Sequence, residues 1–97
     1  MQRKRKPSVQ TLAVLRAFLA RSADWRYGYD LTKEIALPSG TLYPLLVRLA
    51  DKGLLESAWH PPGKPGMPPR HGYRLTLRGI AFARTVLAAA EGVTVEA

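Results

Sequence analysis

The segment from Pro38 to Leu49 combines two sets of residues whose types and spacing indicate different tasks. Four leucines recur at the i, i+3, i+4, i+7 spacing of one helical face that must be buried: Leu42, Leu45, Leu46 and Leu49. The other positions are small, polar, aromatic or basic and crowd the first turns: Ser39, Gly40, Thr41, Tyr43, Pro44, Val47 and Arg48. A helix held by one face and carrying such a tip is expected to contact a partner.

The chemistry of this tip suits nucleic acid. Gly40 and Thr41 let the helix end approach closely, and the backbone N–H groups there favour anions. The methyl groups of Thr41 and Val47 can meet a thymine methyl group, and Arg48 can reach a phosphate or a guanine edge. The alternative is a core helix with a solvated outer face, for which Tyr43 would be a poor choice. The segment therefore predicts a DNA-contacting helix.

The charge balance supports a polyanionic partner. Fifteen Lys and Arg residues stand against seven Asp and Glu residues, giving a formal net charge of +8. A proline- and glycine-rich stretch, 61–70, includes Lys64 and Arg70. The alternative is a solvated loop. Because proline lowers the entropy that a loop loses on docking, both cations are predicted to contact phosphates. Arg74 is also predicted to contact a phosphate. The alternative, which the sequence leaves open, is an ion pair within the chain.

A second basic run precedes the first apolar residues: Arg3, Lys4, Arg5 and Lys6. Residues 1–7 have nothing to bury and are predicted to form a flexible arm. Charge runs are usually solvated, and the alternative is an arm that contacts DNA in the minor groove. Either arrangement would add affinity that depends on salt and not on sequence.

Other chemistries find little support. Cysteine is absent, which removes thiol nucleophiles and thiolate metal sites and fits a reducing cytoplasm. His60 and His71 are expected to face each other across the base of the 61–70 stretch, with Glu56 as the only further ligand nearby, so no metal or cofactor is predicted. Ser39 lacks support from histidine and acid, so it is interpreted as a helix cap and no catalytic residue is predicted. The apolar runs are too short to span a membrane.

Hydrophobic periodicity and turn signals predict the order helix, helix, helix, strand, strand, helix. The helices cover Val9 to about Arg21, 27–35, 40–52 and 77 to about 91, and the strands cover 54–60 and 71–76. Ser8 and Thr76 are predicted to cap the first and last helices, and Pro38 and Gly53 to end the second and third. The fold class is mostly α with a small β-hairpin, a winged helix-turn-helix.

One domain, residues 8–91, is expected between the arm and a short tail at 92–97. A chain of this length buries only about 60–65% of its unfolded surface, so a second subunit would add core. The first and last helices carry apolar residues over nearly half their circumference, which is more than one contact requires. The predicted dimer surface comprises Leu12, Leu15, Phe18, Leu19, Phe82, Val86 and Leu87.

Five short motifs stand in a fixed order along the chain. They are Tyr27-Gly28-Tyr29-Asp30-Leu31, Ser39 to Leu46 (SGTLYPLL), Arg48-Leu49 with Gly53 to Ser57 (GLLES), Pro68-Pro69-Arg70, and Tyr73-Arg74-Leu75-Thr76 followed by Gly79. Together they resemble the PadR family of bacterial transcriptional regulators, and the resemblance covers residues 9 to about 88. Several motifs in the correct order are far more specific than any one of them.

The resemblance implies a homodimeric winged-helix protein that binds double-stranded DNA, usually as a repressor. It implies that the third helix enters the major groove, that the hairpin loop reaches the backbone or minor groove, and that the last helix dimerises. On matching positions it places Arg70 at the base of the wing and Tyr73 on the second strand. The DNA-facing tip then comprises Ser39, Gly40, Thr41, Tyr43 and Pro44.

Three features depart from the family pattern: the basic arm, a last helix that stops near Gly92, and Gly66-Met67 where members often have a glycine-arginine pair. The chain resembles a compact subtype, and a small-molecule effector and the operator are left open. Two other classes remain: a winged-helix protein-interaction module without operator preference, and a small enzyme or metal sensor. Trp25 and Trp59 could stack a flat effector, although core or dimer packing is the favoured interpretation.

Overall fold

The computed structural model describes residues 7–92, which form four helices and a three-stranded antiparallel sheet. The helices are α1 (Val9–Ala20), α2 (Gly28–Glu34), α3 (Ser39–Asp51) and α4 (Leu77–Ala90). The strands are β1 (Arg26–Tyr27), β2 (Leu55–His60) and β3 (Arg70–Leu75), in the order β1-β3-β2. The predicted winged helix-turn-helix is confirmed. The arm residues Arg3, Lys4, Arg5 and Lys6 and most of the predicted tail, residues 93–97, lie outside the described residues.

Three helix ends are set by the local chemistry that the sequence predicts. The Ser8 hydroxyl oxygen accepts a hydrogen bond from the Thr11 backbone N–H at 3.1 Å and caps α1. The Thr76 hydroxyl oxygen accepts from the Gly79 backbone N–H at 2.9 Å and caps α4. Gly53 follows α3 with a φ of 76°, a left-handed conformation that glycine adopts without strain. These contacts confirm the predicted caps and the predicted end of α3.

The turn between α2 and α3 differs from the prediction. Pro38 is the residue that caps α3, and its carbonyl oxygen accepts from the backbone N–H groups of Thr41 and Leu42 at 3.0 and 2.9 Å. Ser39 is already helical, so the prediction that it caps α3 is wrong. Proline suits the entry because its ring holds φ near the value required there. Ala36 adopts a φ of 54°, and this left-handed residue helps to reverse the chain between the two helices.

The leucine face of α3 holds the helix in place. Leu42 and Leu46 are fully buried and Leu45 and Leu49 nearly so, as their spacing predicts. They share one core with residues from the rest of the fold, among them Val14, Leu15, Phe18, Leu31, Leu55, Tyr73, Leu75, Ala83 and Leu87. Full burial of a leucine contributes roughly 1.5–3 kcal/mol. Four such residues determine which side of α3 faces outward.

Part of the predicted dimer surface is wrong, because three of its seven residues belong to this core. Leu15, Phe18 and Leu87 pack inside a single chain, where α1 lies against α4, and Leu87 is only 6% exposed. These three residues therefore have almost no surface left for a partner. The remaining four are only partly buried: Leu12, Leu19, Phe82 and Val86. The wide apolar arcs thus reflect, in part, the contact between α1 and α4 within the chain.

The strand β1 is an element that the sequence did not predict. Residues 22–26 read as a polar connection, yet Arg26 and Tyr27 pair with β3. The Arg26 guanidinium is buried, donates to the Ala17 carbonyl oxygen at 2.9 Å and forms an ion pair with Glu34. A buried charge requires such partners, so this arginine ties β1 to α1 and α2.

Candidate nucleic-acid interface

The face of α3 opposite its leucines is open to solvent. Tyr43 is 42% exposed and Val47 is 53% exposed, although apolar side chains of this size are usually buried. Thr41 is half-buried. The other predicted tip residues are also exposed: Ser39, Gly40, Pro44 and Arg48. The structure therefore brings the predicted DNA-contacting residues of α3 together on the outward side of this helix.

Tyr43 is positioned by α2. A Cβ atom on Gly28 would overlap the Tyr43 hydroxyl and lie 2.7 Å from Cε1, so the tyrosine ring occupies the space that a side chain would fill. Tyr73 lies close by: burial raises the pKa of its hydroxyl above the usual value, and Tyr43 adds to the rise. Packing against Gly28 limits the rotamers open to Tyr43 and so lowers the entropy it would lose on docking.

The wing, residues 61–70, comprises the hairpin loop and the first residue of β3, and it carries two further cations. Residues 61–70 are exposed throughout. Lys64 begins a turn in which its carbonyl oxygen accepts a hydrogen bond from the Met67 backbone N–H at 3.3 Å. Arg70 begins β3, and its guanidinium carbon lies 4.1 Å from the centroid of the Tyr27 ring. Both predicted wing cations are therefore accessible from outside.

Arg74 has a different environment. Its guanidinium forms an ion pair with the Glu56 carboxylate at 2.7 Å and lies 4.2 Å from the Trp25 ring centroid. Its charge is balanced within the chain, so the structure favours the ion pair of the two interpretations that the sequence left open. A phosphate contact by Arg74 would have to compete with this ion pair, and that contact stays a prediction.

The two histidines do not face each other, and the expectation that they do is wrong. The strand register aligns His60 with Arg70, the neighbour of His71, so the two imidazoles lie on opposite faces of the hairpin. Each hydrogen-bonds a tyrosine hydroxyl through Nδ1, His60 to Tyr27 at 2.7 Å and His71 to Tyr73 at 3.2 Å. Within residues 7–92, no group of three or more potential ligands is placed to hold a metal ion.

Trp59 is a surface residue that sequence reasoning assigned to a core or a dimer contact. It is 69% exposed, and its ring stacks on His71 with centroids 4.5 Å apart and planes within 10°. The register places Trp59 and His71 on the sheet face of the buried Tyr73, which is turned toward the core. One feature of the sequence could have indicated that Trp59 is exposed. It lies beside the proline-rich loop, which cannot supply the packing partners that a buried tryptophan needs.

The arrangement defines a winged-helix DNA-binding protein: a helix-turn-helix whose second helix is exposed, followed by a hairpin with a cationic loop. Residues 18–85 match the model of the PadR-like family of transcriptional regulators. The chain belongs to this family and is a DNA-binding transcription regulator. The resemblance drawn from the motifs is thereby confirmed.

Solved structures support the assignment. A PadR family transcriptional regulator from Eggerthella lenta is 34% identical, with a TM-score of 0.68 over 82% of this chain and 73% of that one. A PadR-like transcription factor from Bacteroides fragilis is 26% identical, with a TM-score of 0.71 over 86% of this chain and 81% of that one. MarR from Escherichia coli shares the fold at 22% identity, with a TM-score of 0.68 over 82% of this chain and 55% of that one. No curated protein sequence matches this chain significantly.

The helices of residues 7–92 are all too short or too polar to cross a membrane.

Proposed function

We propose that this chain is a sequence-specific repressor that binds double-stranded DNA as a homodimer in the cytoplasm, with α3 in the major groove. The observation that carries the proposal is the division of α3 into a buried leucine face and an exposed face with Tyr43 and Val47. Exposing two such side chains costs solvation free energy in the isolated chain unless a partner covers them. The helix α3 is 13 residues long, a length that suits a recognition helix.

The residues of the interface divide into two groups. Tyr43 and Arg48, which are exposed on α3, and Thr41, which is half-buried in its first turn, are assigned to base edges. The backbone N–H groups of Ser39 and Gly40, at the start of the helix, are assigned to a phosphate, and Pro44 to the sugar-phosphate wall beside it. Lys64 and Arg70 are assigned to the backbone flanking the half-site.

The dimer surface is assigned to the strip of α1 and α4 that remains exposed. Leu12, Val86, Ala89 and Ala90 line a cavity of about 380 Å³ between the two helices. Leu19 and Phe82 are partly buried next to the core and extend the apolar strip. A two-fold axis here would present the two α3 helices to half-sites about 34–36 Å apart. Repression would follow because the bound dimer occludes the promoter; the existence of a small-molecule effector stays open.

The proposal is tested by selecting duplexes from a random pool and comparing the recovered site with random duplex in a salt titration. We expect at least about a 1,000-fold preference for the recovered site at physiological salt. The logarithm of the binding constant should fall by about 0.9 per phosphate contact against the logarithm of salt concentration. Equal affinity for both duplexes at every salt concentration would favour the protein-interaction module instead.

Val86→Asp is expected to convert the dimer into folded monomers. The aspartate would place a carboxylate without a partner in the apolar strip, raising the dimer dissociation constant about 100-fold or more. Ala81→Asp, on the exposed side of α4 turned away from this strip, is the matched control and should leave the dimer intact. Sedimentation equilibrium measures both variants. A folded Val86→Asp dimer of wild-type affinity would move the interface away from this strip. Leu87→Asp is unsuitable for this purpose, because Leu87 belongs to the core of the chain.

A further inference from the structure

The sheet face turned away from the core carries two arginines that lie over aromatic rings. Arg70 lies over Tyr27 of β1, and Arg74 lies over Trp25 in the preceding connection. The register confirms a shared face, because Tyr27 aligns with Gly72, midway between the two arginines on β3. The two contacts therefore form a repeated arrangement on one surface.

The two arginines differ in their charge balance. Arg74 is paired with Glu56, whereas none of the ion pairs formed among residues 7–92 involves Arg70. Arg70 is also exposed, while Arg74 is half-buried. A ring stabilises the flat face of a guanidinium but accepts none of its N–H groups, which point outward in the plane of the group. Arg70 is thus oriented on one side while its donors stay available to an external anion.

Two neighbours flank the Arg70 guanidinium, and His60 in turn holds one of them. Its guanidinium lies between the Tyr27 ring and the wing loop, where a Cβ atom on Gly63 would be 3.6 Å from Cζ. The Tyr27 hydroxyl is in turn hydrogen-bonded to Nδ1 of His60 at 2.7 Å. Gly72 leaves room for this pair, since a Cβ atom there would lie 2.9 Å from His60 and 3.3 Å from Tyr27.

We propose that Tyr27 and His60 are positioning residues of the wing, which hold the Arg70 guanidinium ready to bind a phosphate of the DNA backbone. A guanidinium in a fixed plane binds phosphate through two parallel N–H donors. Because Tyr27 restricts the arginine before DNA arrives, less conformational entropy is lost on binding. The inference rests on the proposed function and adds to it a mechanism for ordering the wing.

The first test counts phosphate contacts. Arg70→Ala should lower the magnitude of the salt slope on the selected duplex by about 0.9 per half-site. Arg84→Ala removes the same charge from the exposed side of α4 and should leave the slope unchanged. An unchanged slope in Arg70→Ala, with wild-type operator preference intact, would overturn the inference and leave the proposed function standing. A wild-type protein without operator preference would overturn both.

The second test asks whether Tyr27 acts through Arg70. Tyr27→Leu should weaken operator binding about 2- to 5-fold, the range of an exposed cation–π contact. In an Arg70→Ala background the same substitution should have no further effect, and Tyr27→Phe, which keeps the ring but loses the bond to His60, should fall between wild type and Tyr27→Leu. A purely structural role would instead give losses that are independent of Arg70. Additive losses, or no loss in Tyr27→Leu, would contradict the inference, and thermal melting verifies that each variant is folded.

Discussion

Tyr43→Ala is expected to lower affinity for the selected operator about 10-fold or more, while affinity for random duplex changes little. Tyr43 lies on the outward face of α3, and a contact to a base edge contributes about 1–3 kcal/mol of discrimination. Fluorescence anisotropy with both duplexes at one salt concentration measures the ratio. If the ratio stays at its wild-type value, α3 does not read the operator through Tyr43.

Two variants sharpen this experiment. Gly28→Ala should reproduce much of the Tyr43→Ala effect without touching α3, because the added methyl group would displace the Tyr43 ring from the place where it now packs. Tyr29→Ala is the matched control: this tyrosine is also exposed, but it lies on α2 beneath the ammonium group of Lys33. It should leave the ratio of operator to random affinity unchanged. The comparison separates the effect of losing a contact to a base edge from the effect of losing any exposed aromatic ring.

Gly79→Ala is expected to lower the free energy of unfolding by about 2–4 kcal/mol. A Cβ atom at this position would overlap the Leu54 carbonyl oxygen and lie 2.8 Å from the carbonyl carbon, and neither backbone atom can move aside cheaply. The same carbonyl oxygen accepts a hydrogen bond from the Thr76 N–H at 3.1 Å, so a shift would also disturb the start of α4. In a domain of this size, the melting temperature should fall by roughly 10–30 °C.

Gly40→Ala provides a control of opposite sign. This glycine is also in the first turn of a helix, but nothing lies within 4 Å of a Cβ atom built on it. The substitution should raise the free energy of unfolding by up to about 1 kcal/mol, because alanine is the better helix former. Urea denaturation of the two variants provides the comparison. Equal stabilities would mean that α4 does not approach the Leu54 backbone as closely as the structure indicates.

Local signals were sufficient for most of the fold and for the core of the candidate site. The caps at Ser8 and Thr76 and the glycine end at Gly53 depend on residues within a few positions of one another. The buried face of α3 depends on a spacing that repeats within two turns. The exposure of the opposite face of α3 could be predicted from this spacing, because a helix that is buried on one face is open to solvent on the other. These features require no knowledge of what packs where.

The rest was decided by pairings between distant segments. A one-residue change in register reverses the face of every side chain in a strand, so the sequence alone did not show that His60 and His71 lie apart. The two residues of β1 are too few to show an alternating pattern, and only β3 completes their hydrogen bonds.

Contacts across the chain also settled which groups are available to a partner. Arg74 is neutralised by a carboxylate 18 residues away, whereas Arg70 rests on a ring and keeps its donors accessible. From the sequence alone, Leu87 is as good a candidate for a dimer surface as Val86. The packing of α1 against α4 buries Leu87 in the core and leaves Val86 partly exposed. The sequence alone thus determined which helix is suited to contact DNA, because helical periodicity is local. Only the tertiary structure decided which charges and apolar groups remain exposed, because burial depends on the whole packed chain.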